Sequence, residues 1–183
     1  FWNNGKKKYV NKNPKQKKYD YLFQSPGPGS TFLITKKGFL DLKNFIDLNF
    51  ESIENIISHD WFIYAFARHK SYVWIIDKSA YLNYRQHGHN EIGVNVGLSS
   101  YYKRILAILR GNYANQIYEI IKSIKINNKI SILLEHPTLL NKLILIINAF
   151  NCRRSLKDSF AIIFFFIVLS KKISNKKLKT LFK

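Results

Sequence analysis

The chain has 183 residues, 46% of them hydrophobic and 15% aromatic, and a formal net charge of +19. That composition excludes a disordered polymer and allows one domain or one and a half. The single cysteine, Cys152, excludes an internal disulfide, and with no CxxC pair it reads as a structural or incidental thiol in a reducing compartment.

The charge is unevenly spread. Residues 1–19 carry seven lysines and no acid, 20–91 carry seven basic and eight acidic groups, and 92–183 carry sixteen basic and three acidic ones. Three readings of the cationic flanks stay open: a phosphate-rich polymer as partner, the anionic face of a membrane, or solvation combined with an AT-rich coding sequence. The sequence opens on Phe1-Trp2 and contains no methionine. No charged start leads into an apolar run with a small-residue cleavage site, so a secretory precursor is not expected and the chain reads as a carboxy-terminal piece.

In chain order, residues 1–24 form a basic flexible segment, polar and interrupted by Pro14. Ser25-Pro26-Gly27-Pro28-Gly29-Ser30 predicts a tight turn whose glycines let backbone approach a ligand closely. Thr31-Phe32-Leu33-Ile34-Thr35 predicts a short strand, and a helix follows Lys37. After a polar link at 51–54 comes His59-Asp60-Trp61, with Asp60 where a helix can begin and Trp61, Phe62, Ala65, Phe66 and His69 near helical spacing. Val73-Trp74-Ile75-Ile76 predicts a buried strand, which would hold that triplet and the later Tyr84-Arg85-Gln86-His87-Gly88-His89-Asn90 at one sheet edge.

From Leu98 the pattern turns helical. Tyr102, Ile105, Leu106 and Leu109 form one stripe, and Ile117, Ile120, Ile121 and Ile124 another. Residues 160–169 are ten uninterrupted apolar residues, with Arg153, Arg154 and Lys157 before them and Lys171 and Lys172 after. Crossing a bilayer takes roughly 20 residues, so this run predicts a basic amphipathic helix lying in the membrane interface, with burial against residues 139–147 as the alternative.

The segments Pro26-Gly27-Pro28-Gly29-Ser30-Thr31-Phe32, His59-Asp60-Trp61 and Tyr84-Arg85-Gln86-His87-Gly88-His89-Asn90-Glu91-Ile92-Gly93, in this order and spacing, resemble bacterial family 2 glycosyltransferases, especially the rhamnosyltransferase-like group. The stretch with Arg153 and Arg154 is similar to the tail of that group. The resemblance implies an α/β chain: the carboxy-terminal half of a GT-A (Rossmann-like) domain followed by a mainly helical tail. Its segments would be 1–24, a basic flexible piece; 25–97, the acceptor-side half of the catalytic domain; and 98–183, a helical region with the basic amphipathic helix.

It also implies an activity, the inverting transfer of a sugar from a nucleotide-sugar donor to a glycan or lipid-linked acceptor in cell-surface polysaccharide synthesis. Gly27, Pro28, Gly29 and Ser30 correspond to the glycine loop that lines the cleft, and His59-Asp60 to the acidic motif, making Asp60 the candidate base. A helix cap is the other reading of Asp60, and Trp61 is assigned to packing or sugar stacking. His87 corresponds to the histidine that helps hold a divalent ion, Mg²⁺ or Mn²⁺. Arg85 is a diphosphate partner because guanidinium matches phosphate oxygens bidentately, Gln86 contacts substrate, and His89 stands behind them.

The family's Asp-x-Asp motif and nucleotide-binding half are not in this sequence, so the main metal ligands are expected elsewhere and the piece alone is expected to be inactive. The expected location is the cytoplasm, peripheral at the inner face of the bacterial membrane. The reading from a different class is a basic nucleic-acid- or polyanion-binding module, because aromatic and lysine residues intermix in residues 1–23. A third reading is a degenerate remnant of a split gene.

Overall fold

The computed structural model describes residues 15–77, 79 and 98–169, apart from the side chains of 98–101, 103 and 104. Among the described residues the regular elements are helices: α1 Lys36–Leu48, α2 Phe50–Ile53, α3 His59–His69, α4 Leu98–Leu109, α5 Asn112–Ile124, α6 Lys129–Glu135, α7 Leu139–Ile147, α8 Ala149–Cys152 and α9 Leu156–Val168. Two single 3₁₀ turns, Asp20–Leu22 and Gly29–Thr31, precede them.

Local chemistry sets several of these boundaries. The Thr35 hydroxyl accepts from Gly38 N at 3.2 Å and opens α1. Asn128 Oδ1 accepts from the amides of Ile130 and Ser131, while Ser131 Oγ accepts from Asn128 N at 2.8 Å, a reciprocal capping box that starts α6. Gly111, at φ 78°, lets the chain reverse between α4 and α5, and Lys125 closes α5 in the left-handed region at φ 57°.

One core draws on the whole described length. Leu22 and Phe23 from the first turn, Trp61, Phe62 and Phe66 from α3, and Ile117, Ile120 and Ile121 from α5 pack with Leu145, Phe165 and Phe166 from α7 and α9. The Phe23 and Phe166 rings meet edge to face at 5.6 Å, and Tyr113 bridges Trp61 and Phe165 at 5.8 and 5.1 Å. Each buried phenylalanine contributes about 1.5–3 kcal/mol by leaving water. Residues 19–23 are thus core, although they fall in the segment read as flexible.

The α/β expectation is not met by the described residues, which contain no strand. Residues 31–35 divide between the Gly29–Thr31 turn and an irregular lead into α1. Residues 72–77 form no regular element: Val73 and Ile75 are 87% and 81% exposed, whereas Trp74 turns inward against Phe32 and Tyr64 at 5.0 and 5.1 Å. β-branched residues favour a strand only where a neighbouring strand packs beside them, and none stands here among the described residues. The polar link at 51–54 is also different, since its first part belongs to α2.

The helical expectations fare differently by stripe. Ile117, Ile120, Ile121 and Ile124 are buried as their spacing predicts. In α4, Tyr102, Ile105 and Leu109 are exposed and Leu106 is half-buried, while Ile108, outside that stripe, is buried among the described side chains. The 160–169 run is split: Ile162, Phe165, Phe166 and Leu169 are buried, while Phe160, Phe164 and Ile167 are exposed.

Candidate functional site

α3 begins at His59, which places Asp60 in its first turn, where the helix dipole favours a carboxylate. The turn Gly29–Thr31 lies directly against it. A Cβ on Gly29 would collide with Asp60 Oδ1 and stand 3.4 Å from His59 Nε2, so a larger residue here would require the Asp60 side chain to shift. Two motifs separated by about thirty residues in sequence therefore form one contact.

The Asp60 side chain is 15% exposed and that of His59 81%. His59 Nε2 stands in ion-pair contact with Asp60 Oδ1 at 2.6 Å. Asp60 Oδ1 is buried and has no hydrogen-bond partner among the described residues. Buried carboxylate oxygens are ordinarily satisfied, and a cap would be bonded to an amide of its own helix. Asp60 Oδ1 instead accepts no hydrogen bond among the described residues and is touched by the exposed His59.

The rest of the glycine loop is shaped by its own hydrogen bonds. Ser25 Oγ donates to Gly27 O at 2.8 Å and Thr31 Oγ1 donates to Pro28 O at 2.7 Å. A Cβ on Gly27 would meet nothing within 4 Å, so that glycine is not sterically required. Pro28 and Ser30 are exposed. Trp61 is buried, donates its indole N–H to Tyr21 O at 2.8 Å and stacks on Tyr113, which is the packing half of its reading. Arg85, Gln86, His87 and His89 lie outside the described residues.

Sequence reasoning missed the anchoring of this loop. Asp20 is fully buried, accepts from Tyr64 Oη at 3.0 Å on both carboxylate oxygens and from Arg68 Nη1 at 3.1 Å, and lies 3.4 Å from Arg154 Nε. Arg154 also donates to Ser25 O at the base of the glycine loop, and Arg153 Nη1 donates to Phe23 O at 2.5 Å. Burial pushes the Arg154 pKa down, opposed by Tyr64 and Asp20. Arg153 and Arg154 were expected to flank a membrane helix; they point into the protein and tie α9 to the loop. No spacing in the sequence announces this, because the partners lie more than a hundred residues apart.

A cleft of about 620 Å³ opens elsewhere, between α1 and the far end of α3, and is lined in part by Lys37, Asp41, Lys70 and Tyr72 around Phe45 and Phe66. It includes neither Asp60 nor the glycine loop. Among the described residues no three His, Cys, Asp or Glu side chains gather where they could hold a metal ion. Cys152 is buried, and desolvation pushes its thiol up to about 12, as suits an inert packing residue.

Comparison with known proteins agrees with the motifs. A protein named dTDP-rhamnosyl transferase RfbG, from Shigella flexneri, is 31% identical over 172 residues, 92% of this chain and 58% of that protein. The chain is a relative of rhamnosyltransferases. It spans less than two thirds of that relative's length. No family model and no solved structure matches. The Gly29–Asp60 contact thus belongs to a chain related to glycosyltransferases.

Proposed function

We propose that this chain is the acceptor-side part of an inverting, family 2-like GT-A glycosyltransferase, with Asp60 as its general base. The contact between Gly29 and a carboxylate that keeps one oxygen unbonded supports this reading most. Inverting transfer needs one carboxylate within reach of the acceptor hydroxyl. The Asp60 carboxylate takes the hydroxyl proton as the acceptor oxygen attacks the anomeric carbon. The new glycosidic bond forms on the face opposite the donor's carbon–oxygen bond, whose electron pair leaves with the nucleoside diphosphate. The glycine loop brings backbone rather than side chains to the reacting groups, and Arg154, through Ser25 O, fixes the loop's base.

The donor in this proposal is a thymidine diphosphate sugar, following the relative's name, and the acceptor is a glycan or lipid-linked saccharide of a cell-surface polysaccharide. Work on such an acceptor would place the enzyme at the cytoplasmic face of the membrane. Arg85, Gln86 and His89 are proposed contacts to the diphosphate side, and His87 a ligand of a divalent ion. The described residues do not themselves assemble a ligand set for that ion, and the steps assigned to this chain are those of its own residues. The donor-nucleotide half is proposed to lie outside these residues.

Rhamnosyl transfer from dTDP-rhamnose should be assayed in the transferase that carries these residues. Asp60→Asn should lower transfer by about 10²–10⁴-fold while leaving dTDP-sugar binding intact. Wild-type turnover in that variant would remove Asp60 from the mechanism.

A further inference from the structure

The α7 and α9 helices pack against each other and leave an apolar face uncovered. On α7, Leu139, Leu143 and Ile147 recur every fourth residue and are 83%, 58% and 76% exposed. On α9, Phe160, Phe164 and Ile167 follow helical spacing and are 66%, 37% and 55% exposed. The two stripes form one surface: Lys142 Nζ donates to Ile167 O at 3.0 Å across the pair, and the Phe150 and Phe160 rings meet at 6.3 Å at one end. An uncovered patch of adjacent large apolar residues marks an interaction site rather than ordinary surface.

The charge around this face selects its partner. On the described helices Lys142 and Lys157 stand beside this face, Arg153 and Arg154 being turned into the protein, and the sequence after α9 adds six lysines and no acid. Lys157 is exposed beside the patch, and the sequence directly after α9 supplies Lys171 and Lys172. A second copy docked face to face would bring these like charges together. A nucleic acid would satisfy the lysines and leave the leucines and phenylalanines in water. A bilayer with anionic headgroups satisfies both, since apolar side chains enter the acyl boundary and lysines meet phosphate.

We propose that the joint α7–α9 face, and not α9 alone, seats the protein on an anionic lipid surface. No described helix is long and apolar enough to cross a membrane, so the association is peripheral for these residues. The buried half of α9 keeps the helix fixed to the core while its outer half meets lipid. The inference stands apart from the transferase reading, because it requires neither donor nor acceptor.

Co-sedimentation of the 183-residue chain with vesicles of phosphatidylcholine, with and without phosphatidylglycerol, tests it. Binding should require phosphatidylglycerol and weaken as salt rises. Leu143→Ser with Phe160→Ser should weaken it by about tenfold or more with thermal melting little changed, because both side chains are exposed. Lys171→Gln with Lys172→Gln lies beyond the described helices and gives a second variant; it should lower binding to anionic vesicles alone. No binding to anionic vesicles overturns the proposal, as does unchanged binding in both variants. A dimer that the Leu143/Phe160 variant dissociates, with vesicles left unbound, would overturn it in favour of a second copy.

Discussion

Asp60 lies in the first turn of α3 and Asp20 packs against Tyr64 and Arg68 of the same helix, and the two carboxylates differ in burial and in partners. Asp20 has no exposed surface, the Tyr64 hydroxyl shared between its two oxygens, a hydrogen bond from Arg68, and Arg154 beside it. Asp60 is partly exposed, touches an exposed histidine, and leaves one oxygen unbonded against a glycine. A buried carboxylate surrounded by donors is costly to disturb and offers no vacancy to a substrate, whereas Asp60 has a partly exposed side chain and no hydrogen bond to its Oδ1. In the proposed mechanism the first holds the site from behind and the second takes the proton.

The comparison breaks hardest at Asp20. Removing it by Asp20→Ala leaves Arg68 and Arg154 with an uncompensated buried charge, and should lower stability by about 3–5 kcal/mol in urea unfolding. If Asp20→Ala costs less than about 1 kcal/mol, the cluster is not the anchor of the loop. Asp60→Asn should change stability by no more than about 1 kcal/mol, the value of a first-turn carboxylate at a helix N-terminus. Its effect is reserved for transfer, so the two aspartates should separate on a plot of stability against activity.

Gly29→Ala joins the two behaviours. Its new Cβ would overlap Asp60 Oδ1, and Gly29 is not at positive φ, so the cost is steric alone. Relief requires the Asp60 carboxylate to swing aside, which should cost no more than about 1 kcal/mol of stability and reduce transfer in proportion to the displacement of Asp60. Gly27→Ala serves as the control, since nothing lies within 4 Å of its Cβ. Equal loss in both variants would detach the glycine loop from Asp60.

The sequence made Asp60 more visible than the residues that anchor the loop. Helical spacing located the buried side of α3 and α5, because a core-facing helix repeats its apolar residues on one face whatever packs against it. The triplet at His59-Asp60-Trp61 and the glycine turn were legible as motifs, and their contact follows from the close approach at Gly29. What spacing cannot carry is the direction of a charge. Arg153 and Arg154 resemble solvated flanking groups until Asp20, Phe23 and Ser25 are seen to receive them. Residues 73–76 have strand propensity, but pairing is a property of a neighbour that local sequence does not contain.

The finest test of the contrast is the hydroxyl that roofs Asp20. Tyr64 Oη also accepts from Arg68 Nη1 at 2.6 Å, and burial followed by the negative charge of Asp20 raises its pKa well above the ordinary 10.0. The folded chain therefore holds this proton at a pH where the unfolded chain has released it. Stability from this linkage is complete below about pH 10 and falls as pH rises, by about 1.4 kcal/mol per pH unit for one proton. Tyr64→Phe should cost about 1–3 kcal/mol near neutral pH, because Asp20 loses a donor, and should make the alkaline fall shallower by that one proton. Tyr113, Tyr118 and Cys152, pushed up to about 12 chiefly by burial, and Tyr21, raised by burial, contribute to the remaining slope. An alkaline slope identical in wild type and Tyr64→Phe would mean that Tyr64 does not share Asp20's enclosure, and the anchoring half of the comparison would then rest on the two arginines alone.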